Sequence, residues 1–149
     1  MGNYLVIGAT GVMGTAAIQA VRKIHGKDAV IVGNWYGKEI PGFQIDDVDH
    51  TIFGDINDPN CIDSIKTISS GKFDTMFYAT ALGDVGTPIK EATQEQIDKS
   101  NNLSFLPILN LEKQLDIDTI VAYSTFYVIR HQLATYGAMG YSKEAIEKW

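Results

Sequence analysis

Four short runs along the 149-residue chain are almost wholly apolar and rich in β-branched and aromatic residues: Tyr4 to Ile7, Ala29 to Val32, Thr75 to Tyr78 and Thr119 to Ala122. Strands with one wet face alternate polar and apolar positions, whereas continuous apolar runs mark strands covered on both faces. A weaker fifth run is His50 to Phe53. Between the runs, Ala16, Ala17, Ala20, Val21 and Ile24 recur at helical spacing, as do Ile62, Ile65 and Ile68. The order predicted is β-α-β-loop-β-α-β-α-β-α, an α/β fold with an open, mostly parallel sheet.

Helix punctuation sharpens the second half. Thr87 before Pro88 predicts an N-cap with proline in the first turn, and Thr93 with Gln96 has the spacing of a capping box that opens a long helix. Inside that helix, Asn101, Asn102 and Pro107 predict a bend, because proline lacks the backbone donor and crowds the carbonyl four residues earlier. Gly33 to Asp49 holds glycine, proline and acidic residues without a period and reads as a loop or lid.

Composition limits the function classes. With 18 acidic against 12 basic side chains and a net charge of −6, no surface is expected to gain affinity from nucleic-acid phosphates or anionic lipid. A 45% hydrophobic chain of this length predicts a single domain whose core needs no disulfide or metal staple. The lone Cys61 has no partner for an internal disulfide and no second soft ligand for a thiolate metal site, so a reducing cytoplasm is the expected location. The N-terminus carries no basic leader, and no run approaches the ~18 apolar residues of a membrane span.

The chemistry starts after the first strand, at Gly8-Ala9-Thr10-Gly11-Val12-Met13-Gly14, which leads into an alanine-rich helical segment. Glycines at 8, 11 and 14 permit a tight turn, close approach of backbone amides to a pyrophosphate, and close packing of helix on strand. The helix N-terminus then turns its free amides and partial positive charge toward the phosphates. A P-loop would require Gly-Lys-Ser/Thr at its end, and Gly14-Thr15 has no lysine. A methyltransferase loop would usually be followed by an acidic residue after the second strand, where this chain has Gly33-Asn34.

GATGVMG resembles the glycine motif of the short-chain dehydrogenase/reductase superfamily, in the GATGxxG form of its atypical and extended branches. Later segments are similar in register. Gly54-Asp55-Ile56-Asn57-Asp58 resembles the family's GDxxD, where the aspartate side chain and the next amide hold the adenine. Ala79-Thr80-Ala81 falls where the fourth strand ends beside the adenine ribose. Asn102, in Ser100-Asn101-Asn102-Leu103, matches a structural or proton-relay asparagine. Ser124 and Thr125 match the hydroxyl residue that orients a substrate carbonyl. The resemblance implies a Rossmann-like, doubly wound sheet of about five strands in the order 3-2-1-4-5, an NAD(P) cofactor, and a homodimer through the long helices, with Asn102 to Leu115 and Tyr141 to Trp149 partly buried between subunits. Plainer roles stand beside these: Asp55 as the cap of its own turn, Asn102 as a backbone partner at the bend, Ser124 and Thr125 as strand-end hydroxyls.

The family's Tyr-x-x-x-Lys matches Met139-Gly140-Tyr141-Ser142-Lys143, with Lys143 in place and Met139 in the tyrosine slot. A thioether has no proton to give, so acid–base catalysis cannot run through residue 139. Tyr141 would turn to another face of a helix, which leaves Tyr136 as the substitute phenol, or else as an aromatic in a subunit or substrate wall. Beyond the second strand, Asn34, Trp35 and Tyr36 supply neither the carboxylate that selects NAD nor the arginine that selects NADP. Lys38 is the nearest base and gives a mild lean to NADP, and Trp35 is an adenine-stacking group or a loop anchor. In the family, further chain forms most of the substrate pocket, so these 149 residues read as a cofactor half without most of a substrate half. Three functions follow: an NAD(P)-dependent oxidoreductase acting on a carbonyl or alcohol of a small metabolite, a dinucleotide-binding sensor or regulator without turnover, and a structural remnant.

Overall fold

The computed structural model describes residues 1–80, 87–125 and 137–149. It divides into two compact units, one of Met1–Thr80 with Leu111–Val121 and one of Ala81–Asn110 with Ala122–Trp149.

The first unit holds a Rossmann-like α/β sheet. Its strands are β1 (Gly2–Ile7), β2 (Ala29–Trp35), β3 (His50–Phe53), β4 (Lys72–Tyr78) and β5 (Asp116–Ala122, whose last residue belongs to the second unit), in the spatial order β3-β2-β1-β4-β5. The central strand β1 pairs in parallel with β2 on one side and β4 on the other, Tyr4 standing opposite Ile31 and Thr75. Its unbroken apolar run follows from this position, since Leu5, Val6 and Ile7 are all buried. Helix α1 (Val12–His25) buries Ala17, Ile18 and Val21, and Ile18 and Val21 share a cluster with Val6 and Ile31. Full burial of one such side chain stabilises by about 1.5–3 kcal/mol. Helix α2 (Pro59–Lys66) starts with Asp58, whose Oδ1 accepts from Asn60 N at 2.9 Å, and with Pro59 in the first turn.

Two boundaries differ from the sequence reading. Gly33 to Trp35 belongs to β2 and not to the loop that follows, because the ladder carries on through Gly33, Asn34 and Trp35 to Thr51, Ile52 and Phe53. Strand β5 is not apolar on both faces: Asp116, Asp118 and Thr119 are exposed, as fits an edge strand, and such carboxylates discourage pairing with another edge.

The loop from Tyr36 to Asp49 is tied down at its end. Asp49 N donates to Ile31 O at 2.9 Å, while Asp49 Oδ2 accepts from Ile31 N and from Arg22 Nη2, each at 2.7 Å. Burial pushes this carboxyl up, but the Ile31 amide, the Arg22 bond and charge, and His50 together outweigh it and hold it below the ordinary 3.8. Its contribution to stability is therefore present at neutral pH and is lost as pH falls through that lowered value. The side chain is 42% exposed, so the ion pair itself counts little and the Ile31 bond carries most of the effect. Asp49→Ala is expected to cost about 2 kcal/mol in urea denaturation at pH 7. The deficit should shrink when both proteins are measured below pH 3.8.

In the second unit, α3 (Gln94–Ser104) opens with the expected capping box: Thr93 Oγ1 accepts from Gln96 N at 3.2 Å and Gln96 Oε1 from Thr93 N at 2.9 Å. The expected bend is a break at Phe105, after which α4 (Leu106–Gln114, which belongs to the first unit from Leu111 on) starts with Pro107 in its first turn, where no amide is needed. Thr87-Pro88 does not start an α-helix. It leads into a single 3-10 turn, Ile89–Glu91, because Ala92 returns to extended backbone. Helix α5 (Gly137–Lys148) packs on α3, and Ser142 Oγ donates to buried Ser100 Oγ at 2.9 Å. Among the described residues no helix is long and apolar enough to cross a membrane.

Candidate functional site

The glycine loop lies between β1 and α1, and its three glycines have different reasons. Gly8 has φ 76°, and a Cβ there would stand 2.9 Å from Thr80 N. At Gly14 a Cβ would fall 2.2 Å from Gly8 O, so the helix can lie on the loop only without a side chain. At Gly11 a Cβ would meet nothing nearer among the described residues than Gly8 O at 3.5 Å. The fold thus leaves Gly11 open, and what its missing side chain admits is approach from outside. Gly11 is also the N-cap of α1 and offers no capping side chain, so the amides of Val12, Met13 and Gly14 end the helix without intrahelical acceptors. No acidic residue lies in that first turn, while Arg22, Lys23 and His25 occupy the last. The positive end of the dipole is left for an anion. Thr10 and Gly11 are exposed beside it, and Val12 is 86% exposed.

Across the strand ends, Asp55 Oδ1 accepts from Asn57 N at 2.9 Å and Asp55 O from Asp58 N at 2.8 Å. Asp55 therefore shapes its own turn, with Ile56 buried next to it. Ala79 N donates to Ile7 O at 2.9 Å, which carries β4 past the end of β1 and sets Ala79 and Thr80 against Gly8. Ala81 lies outside the described residues.

At the end of β2, Asn34, expected among the cofactor-binding residues, is corrected, and Trp35 takes the loop-anchor role of its two expected ones. Asn34 is buried, and its Nδ2 donates to Ile52 O at 3.3 Å, Gly54 O at 3.2 Å and Cys61 Sγ at 3.4 Å, so it ties β2 to β3 and α2 and does not face a ligand. Trp35 is 8% exposed, with Phe43 and Phe53 edge-on at 4.9 Å, so it anchors the loop and has no open face for an adenine. Lys38 is exposed and forms no ion pair among the described residues. Burial, with the Asp58 and Asp55 charges adding, pushes the Cys61 thiol up to about 11, which leaves it a poor nucleophile.

A cavity of about 320 Å³ opens beside the glycine loop, lined by Ala9, Thr10, Thr15 and Gln19 on one side and by Asp46 and Asp47 on the other. The sequence reading missed Thr15, Gln19 and the acidic pair. The available signal was Ile45 and Val48 bracketing Asp46-Asp47, an apolar pair that seats a loop.

Asn102, Ser124, Thr125 and Lys143 belong to the second unit. Asn102 is exposed on α3, whereas its neighbour Asn101 turns Oδ1 inward with no partner among the described residues. Ser124 donates to Glu147 Oε1 on α5, and Thr125 beside it is half-buried. Lys143 is 5% exposed, and burial lowers its ammonium below the ordinary range; no carboxylate pairs with it among the described residues. Met139 is half-buried four residues earlier on the same helix. Tyr136 lies outside the described residues.

No family model and no curated protein matches the sequence. Solved structures do. A short-chain dehydrogenase family protein from Francisella tularensis subsp. tularensis SCHU S4 superposes with a TM-score of 0.78 at 21% identity, over 99% of this chain and 60% of that one. A short-chain dehydrogenase/reductase from Saccharomyces cerevisiae gives 0.77 at 19% identity, over 99% and 62%. A short-chain dehydrogenase from Shigella flexneri 2a str. 301, complexed with NADP, gives 0.74 at 18% identity, over 99% and 68%. The chain thus has the fold of these proteins and spans about 60% of the length of the first two.

Proposed function

We propose that the chain binds a nicotinamide dinucleotide and works as an oxidoreductase of the short-chain type on a carbonyl or alcohol of a small metabolite. One observation carries the reading: Gly8 and Gly14 are demanded by the loop's own packing, whereas Gly11, at the helix N-terminus, is demanded by nothing among the described residues. A pyrophosphate fits that opening. The amides of residues 12 to 14 hold it, while Asp55, the Ile56 amide, Ala79 and Thr80 border the adenosine. The cofactor, when bound, supplies or accepts the hydride. By the resemblance, Thr125 would orient a carbonyl oxygen and Lys143 would hold the nicotinamide ribose, roles that both fall to the second unit. A homodimer through α3, α4 and α5 belongs to the same reading, supported by the exposed Leu106 and Tyr141 on those helices.

A second reading, a dinucleotide-binding protein without turnover, is favoured by Met139, which has no proton for the substrate oxygen. Calorimetric titration with NAD, NADH, NADP and NADPH tests both. Binding of at least one with a Kd below a millimolar is expected, and binding of none at millimolar concentration would overturn both. A carbonyl screen followed by reduced-nicotinamide absorbance then separates them: turnover that disappears in Lys143→Ala establishes the enzyme, and binding without turnover establishes the sensor.

A further inference from the structure

Lys143 is the one lysine of the chain that the fold buries. It is 5% exposed, whereas every other lysine is exposed apart from half-buried Lys66, which is bound to Gln114 and Asp63. Its buried neighbours on α5 are Ala138, Gly140, Ser142 and Ile146, small or apolar groups. Ser142 Oγ donates to Ser100 Oγ at 2.9 Å and to Ala138 O at 3.2 Å, so the polar group next to Lys143 is engaged elsewhere. The carboxylates of the same helix are engaged too, Glu144 by Lys148 Nζ at 2.8 Å and Glu147 by Ser124. Among the described residues Lys143 has neither a hydrogen-bond nor an ion-pair partner.

A charge held out of water without a counter-ion is costly, and burial draws this side chain toward its neutral amine. The neutral amine has a lone pair that the ammonium lacks, which is the condition for attack on a carbonyl. Met139, one turn earlier on the same face of α5, is half-buried, so that face still meets solvent. Its thioether neither donates a proton to the amine nor ties it up in a strong hydrogen bond.

We infer that Lys143 captures small uncharged aldehydes as an imine. The nitrogen lone pair attacks the carbonyl carbon, the C=O π pair moves to oxygen, and that oxygen takes a proton from the nitrogen. The carbinolamine then loses its hydroxyl with the remaining N–H proton as water, and C=N forms. One amine and one aldehyde give one imine and one water, with nothing oxidised or reduced. The preference for an uncharged aldehyde follows from the surroundings: a neutral amine is no counter-ion for a carboxylate, and Lys148, the other cation of α5, is paired with Glu144. The step uses no dinucleotide, so it stands apart from the dinucleotide reading.

The test is reductive trapping. The whole chain is incubated with propanal and cyanoborohydride near neutral pH, and the propylated lysines are located by peptide mass mapping. Lys143 is expected to be modified about tenfold faster than the exposed lysines, because less of its amine is held as ammonium. In urea that unfolds the chain this lead should vanish, which separates burial from local sequence. With glyoxylate in place of propanal the lead should shrink. A Lys143 modified no faster than Lys38 in the folded chain, a lead that persists in urea, or glyoxylate taken in preference to propanal would overturn the inference.

Discussion

Gly14→Ala is expected to destabilise the fold by about 3 kcal/mol or more, while Gly11→Ala leaves folding nearly intact and weakens dinucleotide binding at least tenfold. The two residues stand three apart in one loop and look alike in the sequence. At Gly14 a Cβ would lie 2.2 Å from Gly8 O and 2.8 Å from Ala9 Cα, both backbone atoms that no rotamer change can move. Helix α1 would have to lift from the loop and pull Ala17, Ile18 and Val21 out of their packing. At Gly11 the added carbon meets, among the described residues, only Gly8 O at 3.5 Å, an ordinary contact, and on the dinucleotide reading it occupies the space a pyrophosphate needs. Urea denaturation and NADH titration of both variants check this. A Gly11→Ala protein that binds as well as the unmodified chain would remove the loop from the site.

The sheet was legible because its determinants are local and repeated. Five strands, the three central ones with buried residues, show themselves as apolar runs, and the glycines mark where the first of them meets a helix. The capping box at Thr93 and the break near Pro107 were legible too, since backbone donors decide them. What stayed hidden depended on direction. Asn34 and Trp35 occupy the positions where a cofactor-selecting group is sought, yet β2 continues through them and turns both inward. The acidic pair that lines the cavity beside the glycine loop, Asp46-Asp47, lies in a segment without a period. Its placement comes from long-range contacts: Ile45 and Val48 on Gly33, and Arg22 on Asp47 and Asp49. Strand β5 was misjudged for a related reason, as its run from Thr119 to Ala122 omits the exposed Asp116 and Asp118 that make it an edge.

Lys143→Met is expected to raise stability by about 1–2 kcal/mol and, on the oxidoreductase reading, to abolish carbonyl turnover. The side chain is 5% exposed on α5, and no carboxylate pairs with it among the described residues, so the folded chain carries the cost of a desolvated ammonium. Methionine has a similar shape and no charge. The pH dependence follows from the lowered ammonium, which falls below the ordinary 10.5 because of burial. Below the folded value both states hold the proton and the cost is constant. Between the folded value and 10.5 the unfolded chain holds more proton than the folded one, so the stability of the unmodified protein rises with pH in that window. The advantage of Lys143→Met should therefore shrink as pH is raised toward 10.5, and denaturant titrations of both proteins at successive pH values measure it. Equal pH slopes would show that Lys143 bears no burial cost. A less stable methionine variant would show that the ammonium is paired in solution. The expected combination, a more stable protein that no longer turns over, is what distinguishes a charge kept for chemistry from one kept for the fold.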